Sequence, residues 1–234
     1  RSISMSFIKN HKLLSVFLLS LILSFVVFGN GISGDFVFDD VTIVQNRGDL
    51  KNPDNFFNLW IQPYHQNMPK TGLYRPLTMV SYSLNHRIFG SSPHSTGSSP
   101  RSTGSAQAVS FHVVNIVIHA LNSFLVFWLV KYLFKSKQLA FLSFILFLLH
   151  PIHTEAVTSI VGRAELWAFL WSLLTICFSL KNKKALAGIS FLLALMSKES
   201  ALMVLPIIFF IDSSKGIFAK MPFEGIKKFL YFIV

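Results

Sequence analysis

Charge is what this sequence has least of. Asp, Glu, Lys and Arg supply 13% of its 234 residues, about half the share of a soluble globular domain. Hydrophobic residues supply 52%, and 25 residues are Phe. So few charges cannot cover so much apolar surface in water, which excludes an ordinary soluble fold. The apolar residues come in runs rather than periodic stripes, the pattern of a chain whose solvent is lipid. Cysteine is nearly missing too. Cys177 stands alone, so no internal disulfide can form, and its place in an apolar run makes it a small packing residue. Acidic residues number 10 against 21 Lys plus Arg, for a net charge of +11. In a soluble protein that excess would point to nucleic acid. Here most of the lysines cluster between apolar runs, where the positive-inside rule accounts for them, and no nucleic-acid partner is expected.

The first apolar run covers 13–28, after Lys9, His11 and Lys12. A cleaved signal peptide would share its length and basic flank. Phe28-Gly29-Asn30-Gly31 is a poor cleavage site, however, and the run reads as a retained anchor. Residues 29–110 form a long polar stretch, an external loop with two amphipathic signals. Asn52-Pro53 opens one helix, with Phe56, Phe57, Trp60 and Ile61 as its apolar face. Pro76 opens another, in which Leu77, Val80, Leu84 and Ile88 recur at helical spacing. Such aromatic-rich segments are expected to lie on the bilayer surface. The stretch 91–105, dominated by Ser, Thr, Gly and Pro, cannot bury a core and reads as a disordered insertion.

The second run, 111–130, carries His112, Asn115, His119 and Asn122 at offsets of three, four and three. These lie on one helix face, which must turn inward to protein or water. Beyond Lys131, Lys135 and Lys137, the run 139–149 meets His150-Pro151-Ile152-His153-Thr154-Glu155. After Gly162-Arg163-Ala164-Glu165 comes 166–180, closed by Lys181, Lys183 and Lys184. The run 185–196 ends at Ser197-Lys198-Glu199-Ser200, and 201–211 follows, with more lysines beyond. Six crossings put every lysine cluster on one side, and the long loop and both polar bends on the other. The alternative is one tilted helix over 185–211, with Lys198 and Glu199 held midway at the cost of two charges near the bilayer centre.

The side opposite the lysines thereby gathers reactive groups. Asp39 and Asp40 follow the first span. Tyr74, Arg75, Asn85 and His86 lie in the loop. His150, His153, Glu155, Arg163 and Glu165 sit at one bend, and Lys198 and Glu199 at the other. Paired carboxylates in an apolar setting have their pKa values driven apart, which lets one act as a base near neutral pH. Arg and Lys beside them suit a phosphate or diphosphate leaving group. Base, acid and phosphate clamp at a membrane surface are what a lipid-phosphate sugar donor requires. Each piece also has a plainer reading. Adjacent Asp residues in a loop are usually solvated. His150 and His153 with Glu155 could hold a divalent metal or cap helix ends; no metal and no cofactor is predicted. Arg163 with Glu165 could be a structural ion pair, and Lys198 with Glu199 a snorkelling one.

In order along the chain stand Phe38-Asp39-Asp40, Tyr74-Arg75-Pro76-Leu77 with Ser81-Tyr82 and Leu84-Asn85, and Phe111-His112 with Asn115 and His119-Ala120. His150-Pro151-Ile152-His153-Thr154-Glu155-Ala156-Val157, Gly162-Arg163-Ala164-Glu165-Leu166 and Ser197-Lys198-Glu199 complete the series. Over residues 7–212 this series resembles the transmembrane O-mannosyltransferases that carry tetratricopeptide repeats, and their bacterial relatives. These are multi-spanning glycosyltransferases of the GT-C class. The resemblance implies an all-α, polytopic membrane bundle with its active face on the lumenal or periplasmic side. The membrane would be that of the endoplasmic reticulum in a eukaryote or the inner membrane in a bacterium.

The resemblance further implies a polyprenyl-phosphate sugar as donor, dolichyl-phosphate mannose in animal members, and a Ser or Thr hydroxyl of a protein as acceptor. It assigns the base to an acidic residue of the first external loop, here Asp39 or Asp40, with Asp40 preferred. From charge and topology, Arg75, Arg163 and Lys198 would hold the departing phosphate, with Tyr74, His150, His153, Glu155, Glu165 and Glu199 lining the site. The repeats are not found in these residues and are expected beyond Val234, so the chain reads as the N-terminal membrane part of a longer protein. A transporter or flippase subunit would share inward polar faces and broken helices. A GT-C enzyme with a glycan or lipid acceptor would share the rest.

Overall fold

The computed structural model describes residues 2–65, 72–89 and 100–218, and no β-strand occurs among them. Helix α1 spans Ser2–Phe28. The loop after it holds the single turn α2 (Gly48–Lys51) and then α3 (Pro76–Phe89). The remaining helices are α4 (Pro100–Phe134), α5 (Lys137–Leu149), the short α6 (His153–Thr158), α7 (Arg163–Leu180), α8 (Lys184–Ser197) and α9 (Val204–Phe218). The all-α expectation holds. Residues Arg1–Ala201 form one compact unit, and the chain from Leu202 forms a second that contains α9.

Among the described residues, Leu13–Ser33, Gln107–Phe134 and Arg163–Leu180 are long and apolar enough to cross a bilayer, with mean hydropathies of 2.3, 2.0 and 1.3. Helices α5 and α8 are apolar but shorter, at 13 and 14 residues. Each rises about 20 Å, against a hydrocarbon core of about 30 Å. The breaks between these helices have local causes. The Ser136 hydroxyl caps α5 by accepting the Leu139 N–H at 3.3 Å. His150 precedes Pro151 and is extended, which ends α5. Lys135 and Asn182 take positive φ in the tight turns after α4 and α7. Lys198 is extended and ends α8, so the single tilted helix over 185–211 does not form.

Helices α1, α5 and α7 each pack on α4, α1 also meets α5, and α8 packs on α7. Phe127, Ala140, Phe144 and Leu148 bury against Leu13, Val16, Leu19 and Leu23 of α1. The Ser20 hydroxyl, buried where α1 meets α4, donates to the Ala120 carbonyl at 2.6 Å. Small residues let α7 and α8 approach, with Ala168 and Ala194 in contact and Ala201 of the turn after α8 joining them.

The stretch after α1 is more than a polar loop. Phe36, Ile43, Val44, Leu50, Leu59 and Tyr64 bury together with Met79, Val80 and Tyr82 of α3, Ala108 and Phe111 of α4, and Ile160. It therefore has a hydrophobic core of its own, seated on the end of α4 and the α6–α7 bend. Three details differ from what the sequence predicts. Residues 53–60 form two separate 3₁₀ turns, Pro53–Asn55 and Asn58–Trp60, instead of one helix. Helix α3 forms as expected, but it turns Thr78, Ser83, Asn85 and His86 inward while Leu84 and Ile88 stay exposed. Its buried face is mixed: Pro76, Met79, Val80 and Tyr82 turn inward with them, and of the four polar side chains Thr78 and Asn85 make hydrogen bonds there. Residues 100–105 of the stretch read as disordered are the first turns of α4; residues 91–99 lie outside the described residues.

Candidate active site

The site begins at the turn after α1. Phe38 has φ of 48° and is 93% exposed, a left-handed conformation that is costly for an aromatic residue. The turn is closed by Asp40 N–H to the Val37 carbonyl at 3.0 Å and Val41 N–H to the Phe38 carbonyl at 3.2 Å. The two aspartates then part. Asp40 is fully buried. Its Oδ1 accepts the Val161 N–H at 2.8 Å, and its Oδ2 faces the Val37 N–H at 3.4 Å. The carboxylate thus pins the first loop to the α6–α7 bend. Asp39 is exposed and lines a cavity of about 730 Å³.

That cavity gathers side chains from every element near the bend. Asp39, Tyr64, His65 and Arg75 come from the first loop, His153 and Glu155 from α6, Glu165 from α7 and Lys198 from the second bend. Arg75 grips Glu199 with both arms of its guanidinium, Nη2 at 2.6 Å and Nε at 3.1 Å, and stacks over the Tyr64 ring at 4.8 Å. The Arg75 hydrogen bond holds the Glu199 carboxyl below its ordinary value. Lys198 pairs with Glu165, joining the two bends. Thr78 of α3 donates to the Ser197 carbonyl at 3.1 Å beside this pair. Burial lowers the His153 pKa, and the neighbouring His150 adds to the shift. Burial raises that of Tyr64.

Arg163 has a different place from the phosphate-binding one expected of it. It is fully buried and absent from the cavity wall. Its Nε donates to Asn115 Oδ1 at 2.8 Å, and its Nη2 to Asn85 Oδ1 and the Phe111 carbonyl, both at 3.0 Å. Nη1 reaches the Ser81 carbonyl at 3.3 Å. The Tyr82 and Phe111 rings lie 5.0 Å from the guanidinium carbon. Of the polar side chains that α3 turns inward, Asn85 is the one that bonds Arg163. Arg163 joins α3, α4 and α7, and Glu165 is paired with Lys198 instead of with it.

Of the other expected site residues, Tyr74 lies outside the cavity wall and donates its hydroxyl to the Trp60 carbonyl. His150 also lies outside, and its Nδ1 accepts the Ile152 N–H at 3.2 Å, the helix-capping alternative. Glu199 lies outside the wall as well and is paired with Arg75. Among the described residues no group of three His, Cys, Asp or Glu side chains converges to hold a metal ion. The cavity also has a wall the sequence reading left out of the site: His119 and Asn122 of α4, with Phe147 and Phe169. The inward polar stripe of α4 was the available signal. All four of its residues are buried, but only the fold shows which two reach the cavity.

Three curated proteins similar to this chain are described as protein O-mannosyl-transferases. A protein O-mannosyl-transferase of Caenorhabditis elegans is 31% identical over 201 residues, 81% of this chain and 27% of the relative. Protein O-mannosyl-transferase TMTC1 of Homo sapiens is 34% identical over 158 residues, 64% of this chain and 16% of the relative. TMTC2 of Homo sapiens is 31% identical over 171 residues, 70% of this chain and 18% of the relative. The chain thus spans between 16% and 27% of the length of these three relatives. No family model matches it, and no solved structure matches it. The family resemblance carried by the ordered motifs is borne out by these relatives.

Proposed function

We propose that this chain, homologous over most of its length to the protein O-mannosyl-transferases, is the membrane part of a glycosyltransferase. It moves a sugar, mannose, from a polyprenyl-phosphate donor to a Ser or Thr hydroxyl of a protein. The observation that carries this reading is one cavity whose wall holds an exposed carboxylate, Asp39, and two cations, Arg75 and Lys198, beside helices fit to span a bilayer. Its membrane in a eukaryote is the endoplasmic reticulum, with the cavity on the lumenal side, opposite the lysine clusters.

The proposed chemistry is a single displacement. The Asp39 carboxylate takes the proton of the acceptor hydroxyl as its oxygen attacks the anomeric carbon. A new carbon–oxygen bond forms to the protein. The bond from the anomeric carbon to the phosphate oxygen breaks, and the bonding pair leaves with the lipid phosphate. Arg75 and Lys198 stabilise the charge gathering on that phosphate. Their present partners, Glu199 and Glu165, hold the two cations in position. The proton on Asp39 then passes to water. Asp40, preferred as base on the sequence, has its Oδ1 bound to a backbone N–H and supports the turn that presents Asp39.

The test is sugar transfer by the full-length protein in membranes, with radiolabelled polyprenyl-phosphate mannose and an acceptor domain. Asp39→Asn should lower transfer by about 10²–10⁴-fold, the usual worth of a positioned base, without altering thermal stability. Asp40→Asn should instead lower the thermal midpoint. Transfer at the unmodified rate by Asp39→Asn would remove that residue from the chemistry.

A further inference from the structure

Two residues that line the cavity each carry a buried hydrogen-bond acceptor that no described protein group satisfies. His119 and Asn122 sit three residues apart on α4, both essentially unexposed, and both line the cavity. His119 Nε2 lies 3.3 Å from the Leu148 carbonyl. A carbonyl only accepts, so Nε2 carries the hydrogen and Nδ1 is a bare acceptor. Asn122 Nδ2 donates to the Leu166 carbonyl at 3.0 Å, which leaves Oδ1 as an acceptor. Neither His119 Nδ1 nor Asn122 Oδ1 has a hydrogen-bond partner among the described residues. Beside them Phe147 and Phe169 stack with centroids 5.2 Å apart and planes 12° from parallel. The His119 ring stacks on Phe147 at 5.6 Å.

This set of groups selects a ligand class. Two acceptors and several aromatic faces repel an anion, because ring faces are also negative. A hydrocarbon chain would leave both acceptors desolvated and unpaired. A polyhydroxy ring fits both demands: its hydroxyls donate to His119 and Asn122, and its C–H face lies on the exposed ring of Phe169. The cavity is therefore polarised, with cations at Arg75 and Lys198 and bare acceptors at His119 and Asn122.

From this we infer that His119 and Asn122 form a hexose subsite, accepting hydrogen bonds from two hydroxyls of the transferred sugar while the donor phosphate lies at Arg75 and Lys198. The inference rests on the transferase reading for the identity of the ligand and deepens it by orienting the donor. His119 and Asn122 become the groups that separate a sugar-bearing lipid phosphate from a bare one.

The test is ligand binding by the full-length protein in nanodiscs, with farnesyl phosphate and farnesyl-phosphate mannose as probes. The wild type should bind the mannosyl probe more tightly. Asn122→Leu and His119→Phe should each erase about tenfold of that increment, the worth of one hydrogen bond. Both should keep the wild-type affinity for farnesyl phosphate, which also shows that they are folded. Equal binding of the two probes by the wild type, as expected if only water meets the two acceptors, overturns the inference. So does an equal loss for both probes in both variants. A protein that shows the Asn122-dependent increment but transfers no sugar keeps the subsite and loses the transferase reading. One that transfers sugar without the increment loses only the subsite.

Discussion

Two adjacent carboxylates and two arginines show how little a residue's type says about its task. Asp39 and Asp40 are chemically identical, yet one opens to the cavity and the other accepts a backbone N–H inside the protein. Arg75 reaches the cavity, whereas Arg163 is locked among Asn115, Asn85 and two carbonyls. Replacing Arg163 by Met should therefore destabilise the folded protein. Each acceptor left unpaired costs about 1–3 kcal/mol, so a large fall in the thermal midpoint is expected in detergent. Arg163→Lys should recover little of it, since one ammonium cannot reach partners arranged around a planar fork. A near-normal midpoint for Arg163→Met would show that the network contributes little. In the sequence, Arg163 stood out as a charge beside apolar runs. Whether such a charge faces a ligand or a core depends on groups 48 to 82 positions away.

At the scale of elements, the helices were largely legible and their faces only in part. Runs of apolar residues, the His150-Pro151 bend and the Lys198-Glu199 break mark the C-terminal ends of α5 and α8 as the structure has them. Helix α3 was legible as a helix, but its inward side was not, because that side mixes Met79, Val80 and Tyr82 with the polar Thr78, Ser83, Asn85 and His86. The α6–α7 bend depends on a glycine. A Cβ at Gly162 would stand 2.3 Å from the Ala156 carbonyl oxygen, an overlap that only a backbone shift can relieve. Gly162→Ala should cost about 1–3 kcal/mol, as overpacking does. It should also loosen the Asp40 bond to the neighbouring Val161, read as faster amide exchange at Val161. Wild-type exchange at that amide would show that the bend tolerates the methyl group.

Across the whole molecule, the first loop is tied to the bundle at several points, and one of them is an ion pair within reach of solvent. Arg75 and Glu199 join residues 124 positions apart. The folded Glu199 carboxyl titrates below its unfolded value. Its contribution to stability is thus complete above the unfolded pKa of about 4.3 and is lost as pH falls through the lower folded value. The thermal midpoint of the wild type should decline on acidification through that window. Glu199→Gln should show a shallower decline, with a lower midpoint at neutral pH. Parallel acid limbs in the two proteins would assign the decline to other carboxylates. The effect should be modest, because Glu199 is partly solvated.

Taken alone, the sequence determined the solvent, the helical class, the bends and the kinship. Scarcity of charge, unbroken apolar runs and ordered short motifs are local properties that survive without a fold. Tertiary structure decided the rest: which aspartate meets the cavity, which arginine is structural, which side of α3 turns inward, and which two polar residues of α4 line the cavity. Those outcomes depend on partners distant in sequence. A buried polar group must find its complement wherever the chain brings one, and neither composition nor periodicity records where that is.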